Sequence, residues 1–345
     1  MAIGKTLDEK TYAGDPHVLF DEGEVASVTP RRVLPFCDRR SFICLAGAAA
    51  LGCAAHIGGP EFDENLAVLV SDPHVNGNPE ITQYLYPLKW LVSTVEDILA
   101  MRPRPRHVLM FGDLAFDCGV ERDYIAAREA LKPLSAAGIK VVHCMGNHDR
   151  RLNFAKFFPE AASQTVVPGR FVTVVHFPHC DFIMLDSLKG DNDGIRRGPV
   201  EGELNEAEGD WLKKNLQEWE RPVFLGAHHP IEELAVGPTP LKEFLGACPN
   251  FAGWIHGHDH RWLPNWCTAR KSGRRTVRLL TLPSNGLWGD IGYALLRMNE
   301  RGAVAELIQK DFWNPVPGQP SAEIRQSMMQ GKAGQKCCFV FNPKV

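Results

Sequence analysis

Leu66-Ala67-Val68-Leu69-Val70, followed at once by Ser71-Asp72-Pro73-His74, decides the reading of this chain. Five unbroken apolar residues read as a short buried strand. The Asp-x-His then sets two metal-binding side-chain types where that strand runs out into a loop. The arrangement recurs four times. Apolar run 107–111 leads into Gly112-Asp113, and 140–144 leads into Gly146-Asn147-His148-Asp149. Run 222–227 leads into His228-His229, and 251–256 into Gly257-His258-Asp259-His260. In open α/β sheets, sites form beyond the carboxyl ends of strands. An extended end puts residues two apart on the same side. Asp72 and His74 can therefore converge on one ion, and His258 and His260 on neighbouring ones. One such cluster is weak evidence. Five of them, all at strand ends, supply the oxygen and imidazole ligands for two metal ions held side by side.

The segments between these runs fix the fold class. Residues 87–101 and 121–136 carry helical periodicity, with Gly138 as a C-terminal stop. Strand and helix thus alternate in the first half, the pattern of an α/β sheet with helices on its faces. The second half is richer in strands, at 171–176, 181–185, 279–282, 293–298 and 303–310. Two helices interrupt it, at 205–218, with Trp211, Leu212 and Leu216 on one face, and at 241–248. Residues 314–335, with several Pro, Gly and Gln, read as a loose tail. The expected division is a lead-in over 1–59, a catalytic domain over 60–311 and a C-terminal tail over 312–345.

Bulk properties narrow the function. The 345 residues, 44% hydrophobic, suffice for one large domain or two small ones with a substantial core. The net charge is −3, and no long basic run tracks a nucleic-acid backbone. That speaks against a nuclease and against a nucleic-acid partner. The short basic clusters at 102–106 and 270–275 read as solvated turns. Of ten cysteines, Cys37, Cys44 and Cys53 lie in the lead-in. The other seven show no CxxC and no disulfide framework. Cys144 and Cys180 read as small core residues, and Cys337-Cys338 as ordinary strand residues.

The lead-in reads as an address. Asp38-Arg39-Arg40-Ser41-Phe42-Ile43 resembles the twin-arginine export signature. An uncharged Ala/Gly-rich stretch follows over 42–55, shorter than the about 20 apolar residues of a spanning helix. The implied partner is the twin-arginine machinery, engaged transiently, and the implied location is periplasmic or cell-envelope. Cys53 offers a lipid-attachment point, and cleavage after Ala55 is the competing option. Arg39→Lys with Arg40→Lys is expected to stop export, read by cell fractionation; normal export of that double variant removes the support for the signal.

The order D-x-H, G-D, G-N-H-D, H, G-H-x-H from Asp72 to His260 resembles the calcineurin-like metallophosphoesterase superfamily, with an overall likeness to its cyclic-nucleotide and glycerophosphodiester phosphodiesterase-like branch. The resemblance implies a four-layer α/β/β/α sandwich of two mixed sheets flanked by helices. It implies one metal on Asp72, His74 and His260, and a second on Asn147, His228 and His258, with Asp113 bridging both. It implies His148 at the phosphate and leaving group, oriented by Asp149, and attack by a hydroxide shared between the metals. His229 would lie behind the ligands or face the substrate. The mixed N/O set suits Mn, Fe, Zn or Co better than Ca and does not choose among them. Purple members carry a Tyr three residues after the bridging Asp; here that residue is Phe116.

The expected activity is hydrolysis of a small-molecule phosphodiester or phosphomonoester. A nuclease and a non-catalytic scaffold are the alternatives. Substrate choice is expected from loops 190–203, 231–240 and 262–266. Trp254, Trp262, Trp266 and Trp288 are candidates to stack on a base or to fill the core. Arg150 and Arg151 are candidates to grip a phosphate or to sit on a surface helix. Oligomeric state is not readable from these residues.

Overall fold

Alternation along the central strands sends neighbouring side chains into different cores. The computed structural model describes residues 61–78, 87–190, 198–269, 275–313 and 331–341. The proposed signal, loop residues 191–197, basic residues 270–274 and tail residues 314–330 lie outside the described residues.

In the first sheet, β1 (Phe62–Val70), β2 (Arg104–Phe111) and β3 (Lys140–Cys144) pair in parallel. Helices α1 (Pro87–Ala100) and α2 (Glu121–Ala136) make the crossovers that parallel pairing requires. On the other side of β1, β12 (Gly289–Asn299), β13 (Gly302–Trp313) and β14 (Lys336–Val340) add antiparallel strands. The second sheet is ordered β10 (Leu263–Ala269), β11 (Arg275–Thr281), β9 (Phe251–His256), β6 (Val223–Ala227), β5 (Asp181–Met184), β4 (Thr173–His176). Its β5, β6, β9 and β11 run parallel, with antiparallel edges. Helices α5 (Glu206–Leu216) and α6 (Leu241–Gly246) belong to this half.

Leu66, Val68 and Val70 of β1 pack with Leu91, Val95 and Ile98 of α1 and with Tyr124 and Leu131 of α2. Ala67 and Leu69, one residue out of phase, enter the core between the sheets with Phe182, Phe224 and Ile255. Ile183, Leu225 and Trp254 form a third core with Leu212 and Leu216 of α5 and Leu241 of α6. Three cores between four layers make the expected α/β/β/α sandwich of two mixed sheets. Helix α5 starts on a capping box: Asn205 Oδ1 accepts from Glu208 N, and Glu208 reaches back to the Asn205 N–H.

The C-terminal expectation needs correction. The tail from residue 312 contains sheet: β13 runs to Trp313, and β14 pairs with it from Gly302↔Val340 to Glu306↔Lys336. Cys337, Phe339 and Phe341 enter the core between the sheets. The Phe339 ring sits edge-on to Phe224, 5.0 Å between centroids. Apolar side chains at 337, 339 and 341 have the period of two that a strand requires, so the signal was present in only three positions. Two short helices after the third cluster, α3 (Arg151–Phe157) and α4 (Pro159–Ala162), also went unread.

Candidate metal centre

The five clusters leave the carboxyl ends of β1, β2, β3, β6 and β9 and meet at one edge of the two sheets. Two donor sets result. In the first, His260 Nε2 lies 3.2 Å from both Asp72 Oδ1 and His74 Nε2. In the second, Asn147 Oδ1, His228 Nε2 and His258 Nδ1 stand 3.1 Å from one another, each pair at the same distance. Asp113 Oδ2 joins them, 3.2 Å from His228 Nε2 and 3.7 Å from His74 Nε2. Ligands about 2.0–2.2 Å from a shared ion stand about 3.0–3.5 Å apart around it. The structure thus brings together all seven residues expected from the sequence.

The imidazoles are oriented to offer lone pairs. His74 Nδ1 lies 3.2 Å from the Phe116 carbonyl, and His228 Nδ1 lies 2.8 Å from the Phe111 carbonyl. A carbonyl only accepts, so Nδ1 carries the proton and Nε2 is left bare toward the centre. His74 Nε2 faces His260 Nε2 at 3.2 Å, the spacing of two ligands on one cation. The surrounding carboxylates make the field at the centre negative. Burial pulls the His228 imidazole down, but Asp113 and Asp72 outweigh it and push its pKa up to about 10. Burial raises the Asp113 carboxyl, yet His228 and His148 bring it well below the carboxylate range. The cavity is built for positive charge, and the donor set fits divalent cations.

Backbone strain concentrates at the same place. The described non-glycine residues with positive φ are Asp72 (51°), His74 (43°), Asp113 (50°), His258 (71°), His260 (53°) and Trp288 (47°). Left-handed backbone costs an L-residue about 1–2 kcal/mol. Such cost collects where surrounding structure holds a residue for a purpose. Five of the six are expected ligands. Gly146 is needed for close approach, since a Cβ there would overlap Asp113 Oδ1.

His148 is buried beside the donors. Its backbone N–H donates to Asp113 Oδ1 at 2.9 Å, and its Nε2 lies 3.9 Å from Asp113 Oδ2. The carboxylate facing its Nδ1 belongs to Asp117, at 3.8 Å. Asp149, expected to orient this ring, is tied into the loop itself. Its oxygens accept from the backbone N–H groups of Gly146, Leu114 and Ala115 and from the Tyr124 hydroxyl, at 3.0–3.3 Å. It buckles the loop after β3 to the loop after β2, which fixes His148 through the backbone. Burial and then the Asp113 charge push the Asp149 carboxyl up to about 7, against those donors.

His229 is fully buried, with Nδ1 2.7 Å from Ser187 Oγ and Nε2 3.0 Å from the Val200 carbonyl. Both of its ring nitrogens are thus engaged within the protein. Arg151 is engaged in the fold: Nε and Nη2 each lie 2.7 Å from the two oxygens of buried Asp186. Nη2 also donates to the Leu188 carbonyl at 2.5 Å. Its Nη1 donates to the Gly190 carbonyl, so four of its five N–H groups are engaged within the fold. Trp254 and Trp262 are core residues, and Trp266 is 62% exposed beneath the Arg278 guanidinium. Trp288 alone of the four is placed beside the donors, its ring 6.4 Å from His260.

Three contributors went unread. Ser71 Oγ donates to Asp72 Oδ2, and Ser284 Oγ donates to the Asp72 carbonyl at 2.9 Å. The strand-then-Ser284-Asn285-Gly286 pattern, an Asn-Gly turn after an apolar run, was the available signal for the latter. Glu233, exposed on the 3₁₀ turn Ile231–Glu233, accepts from Gly202 N–H at 2.8 Å. It is also within electrostatic reach of His258. Burial and His228 lower that imidazole, while Asp113, Asp72 and Glu233 act in the opposite sense.

A probable cyclic nucleotide phosphodiesterase of Rhodopseudomonas palustris is 33% identical over 165 residues, which are 47% of this chain and 56% of that protein. The match therefore spans just over half of that relative. A dimetal phosphatase from Danio rerio superposes with a TM-score of 0.54 at 16% identity, covering 72% of this chain and 96% of that one. A purple acid phosphatase from yellow lupin (Lupinus luteus) seeds gives 0.50 at 12% identity, covering 71% of this chain and 51% of that one. At such identities the two structures share a fold with this protein. The calcineurin-like phosphoesterase family model matches residues 67–262, more than half the chain and every donor above, so the protein belongs to that family of metal-dependent phosphoester hydrolases.

Proposed function

We propose that the protein is a dinuclear-metal phosphodiesterase acting on a small-molecule ester. The observation that carries this reading is the pair of donor sets sharing Asp113 Oδ2. Asp72, His74 and His260 would hold one divalent cation, Asn147, His228 and His258 the other, and Asp113 both. Two such cations supply Lewis acidity toward phosphoryl oxygens and acidify a water for attack. The chain's own residues do the rest. Asp149 and Tyr124 hold the loop that presents His148. The His148 imidazole is placed to hydrogen-bond the ester and to give a proton to the departing oxygen. The Asp117 carboxylate faces its other nitrogen at 3.8 Å.

Glu233 supports a diester over a monoester. A diester carries one negative charge, whereas a monoester carries about 1.5 to 2 at neutral pH. The exposed Glu233 carboxylate, within electrostatic reach of His258, opposes the second charge. The relative from Rhodopseudomonas palustris, by its name a phosphodiesterase, points the same way.

The test is a substrate panel on metal-replete full-length protein, with metal analysis. About two equivalents of divalent metal per chain are expected. Chelation should abolish hydrolysis of bis(p-nitrophenyl) phosphate, and re-addition of metal should restore it. The wild-type protein should favour that diester over p-nitrophenyl phosphate. Glu233→Gln should raise the monoester-to-diester ratio of kcat/KM about fivefold, the effect of removing a unit charge at intermediate range. A metal-replete protein inert toward every ester would sink the reading. An unchanged ratio in Glu233→Gln would remove the charge argument for diesters.

A further inference from the structure

We propose that Trp288 is the specificity-determining residue of this site: its indole face receives a planar group carried by the phosphoester, a nucleobase or an aromatic ring. The inference rests on the phosphoesterase reading and adds the substrate class. Trp288 is half-buried, and its ring lies nearly parallel to that of His260, at 23°. His260 is itself fixed by Asp72. The indole therefore borders the place where the phosphate must sit.

Its backbone is held for this purpose. Trp288 has a φ of 47°, the sixth of the left-handed non-glycine residues, and the one that offers no ligand atom. A bulky side chain in that conformation is a genuine outlier. The loop that enforces it is anchored at both ends to the metal-binding strand tips. Ser284 Oγ donates to the Asp72 carbonyl and accepts from the N–H groups of Gly286 and Leu287. Asn285 N–H donates to the Ser71 carbonyl at 2.7 Å. Gly286 passes so close that a Cβ would overlap the Pro73 carbonyl oxygen. Past the indole, Asp290 N–H donates to the His260 carbonyl at 3.1 Å. The Trp288 backbone is bracketed between the tips that carry Asp72 and His260. A preorganised aromatic face gives up little freedom when a ring stacks on it.

The experiment compares two ligands that differ only in the base. Binding of adenosine 5′-monophosphate and of ribose 5-phosphate to metal-replete full-length protein is measured by calorimetry. Wild-type protein should bind the nucleotide at least about fivefold more tightly, a modest value for one stacked base. Trp288→Ala should bring the two affinities within about twofold, mainly by weakening the nucleotide. Trp288→Phe, which keeps a ring, should retain most of the preference. No preference in wild type, or an undiminished preference in Trp288→Ala, overturns the inference. Binding of phosphates needs no turnover, so a protein that prefers the nucleotide yet hydrolyses no ester would overturn the enzymatic reading and leave the platform standing.

Discussion

Asp113→Ala should empty both metal positions and lower phosphodiester hydrolysis by about four orders of magnitude or more, given how much a metal pair contributes to activating water. The reason is the shared oxygen. Asp113 Oδ2 is 3.2 Å from His228 Nε2 in one set and 3.7 Å from His74 Nε2 in the other. A carboxylate between two cations at about 3.5–4 Å offsets their mutual repulsion. Without it, the first set keeps a single carboxylate, Asp72, and the second keeps none. Asp113→Asn separates charge from shape. It can keep the acceptor that His148 N–H meets at 2.9 Å, and with it the loop. It should hold about one metal equivalent or fewer. Metal analysis with circular dichroism reads the outcome. Two retained equivalents in a folded Asp113→Ala protein would contradict the bridging role.

Much of this centre was legible because its grammar is local. A strand buried on both faces reads as an unbroken apolar run. Residues 140–144 and 121–136 were readable to the residue, and match β3 and α2. Residue type supplied the rest, since few side chains other than Asp, His and Asn suit such ions at a strand tip. What stayed hidden was non-local. Asp149 adjoins His148 in sequence, so it was the natural choice to orient it. The fold instead delivers Leu114, Ala115 and Tyr124 to Asp149, and Asp117 to the imidazole. His229, read as lying behind the ligands or facing the substrate, has Ser187 and Val200 at its two nitrogens. Arg151 looked like an anion clamp until Asp186 arrived from beyond β5. Trp288 could not be told from Trp254 or Trp262, because its difference lies in a left-handed backbone and a neighbouring ring.

His148→Ala should retain both metals and lower kcat by about a hundredfold or more, the usual size of a lost general acid. Metal retention follows from geometry. Alanine at 148 leaves all seven proposed donors in place, and His148 Nε2 itself stands 3.9 Å from Asp113 Oδ2. The contact that steadies Asp113 is the backbone N–H, which alanine keeps. The loop also survives, because Asp149 holds it through Gly146, Leu114 and Ala115. The size of the loss should depend on the leaving group. A p-nitrophenolate departs without a proton, whereas an alkoxide does not. The variant should therefore lose more on an alkyl diester than on bis(p-nitrophenyl) phosphate. Equal losses on the two substrates would leave His148 a hydrogen-bond donor to the phosphate and exclude it as the acid. Wild-type rates on both, with metals in place, would remove His148 from the chemistry and return the proton to solvent.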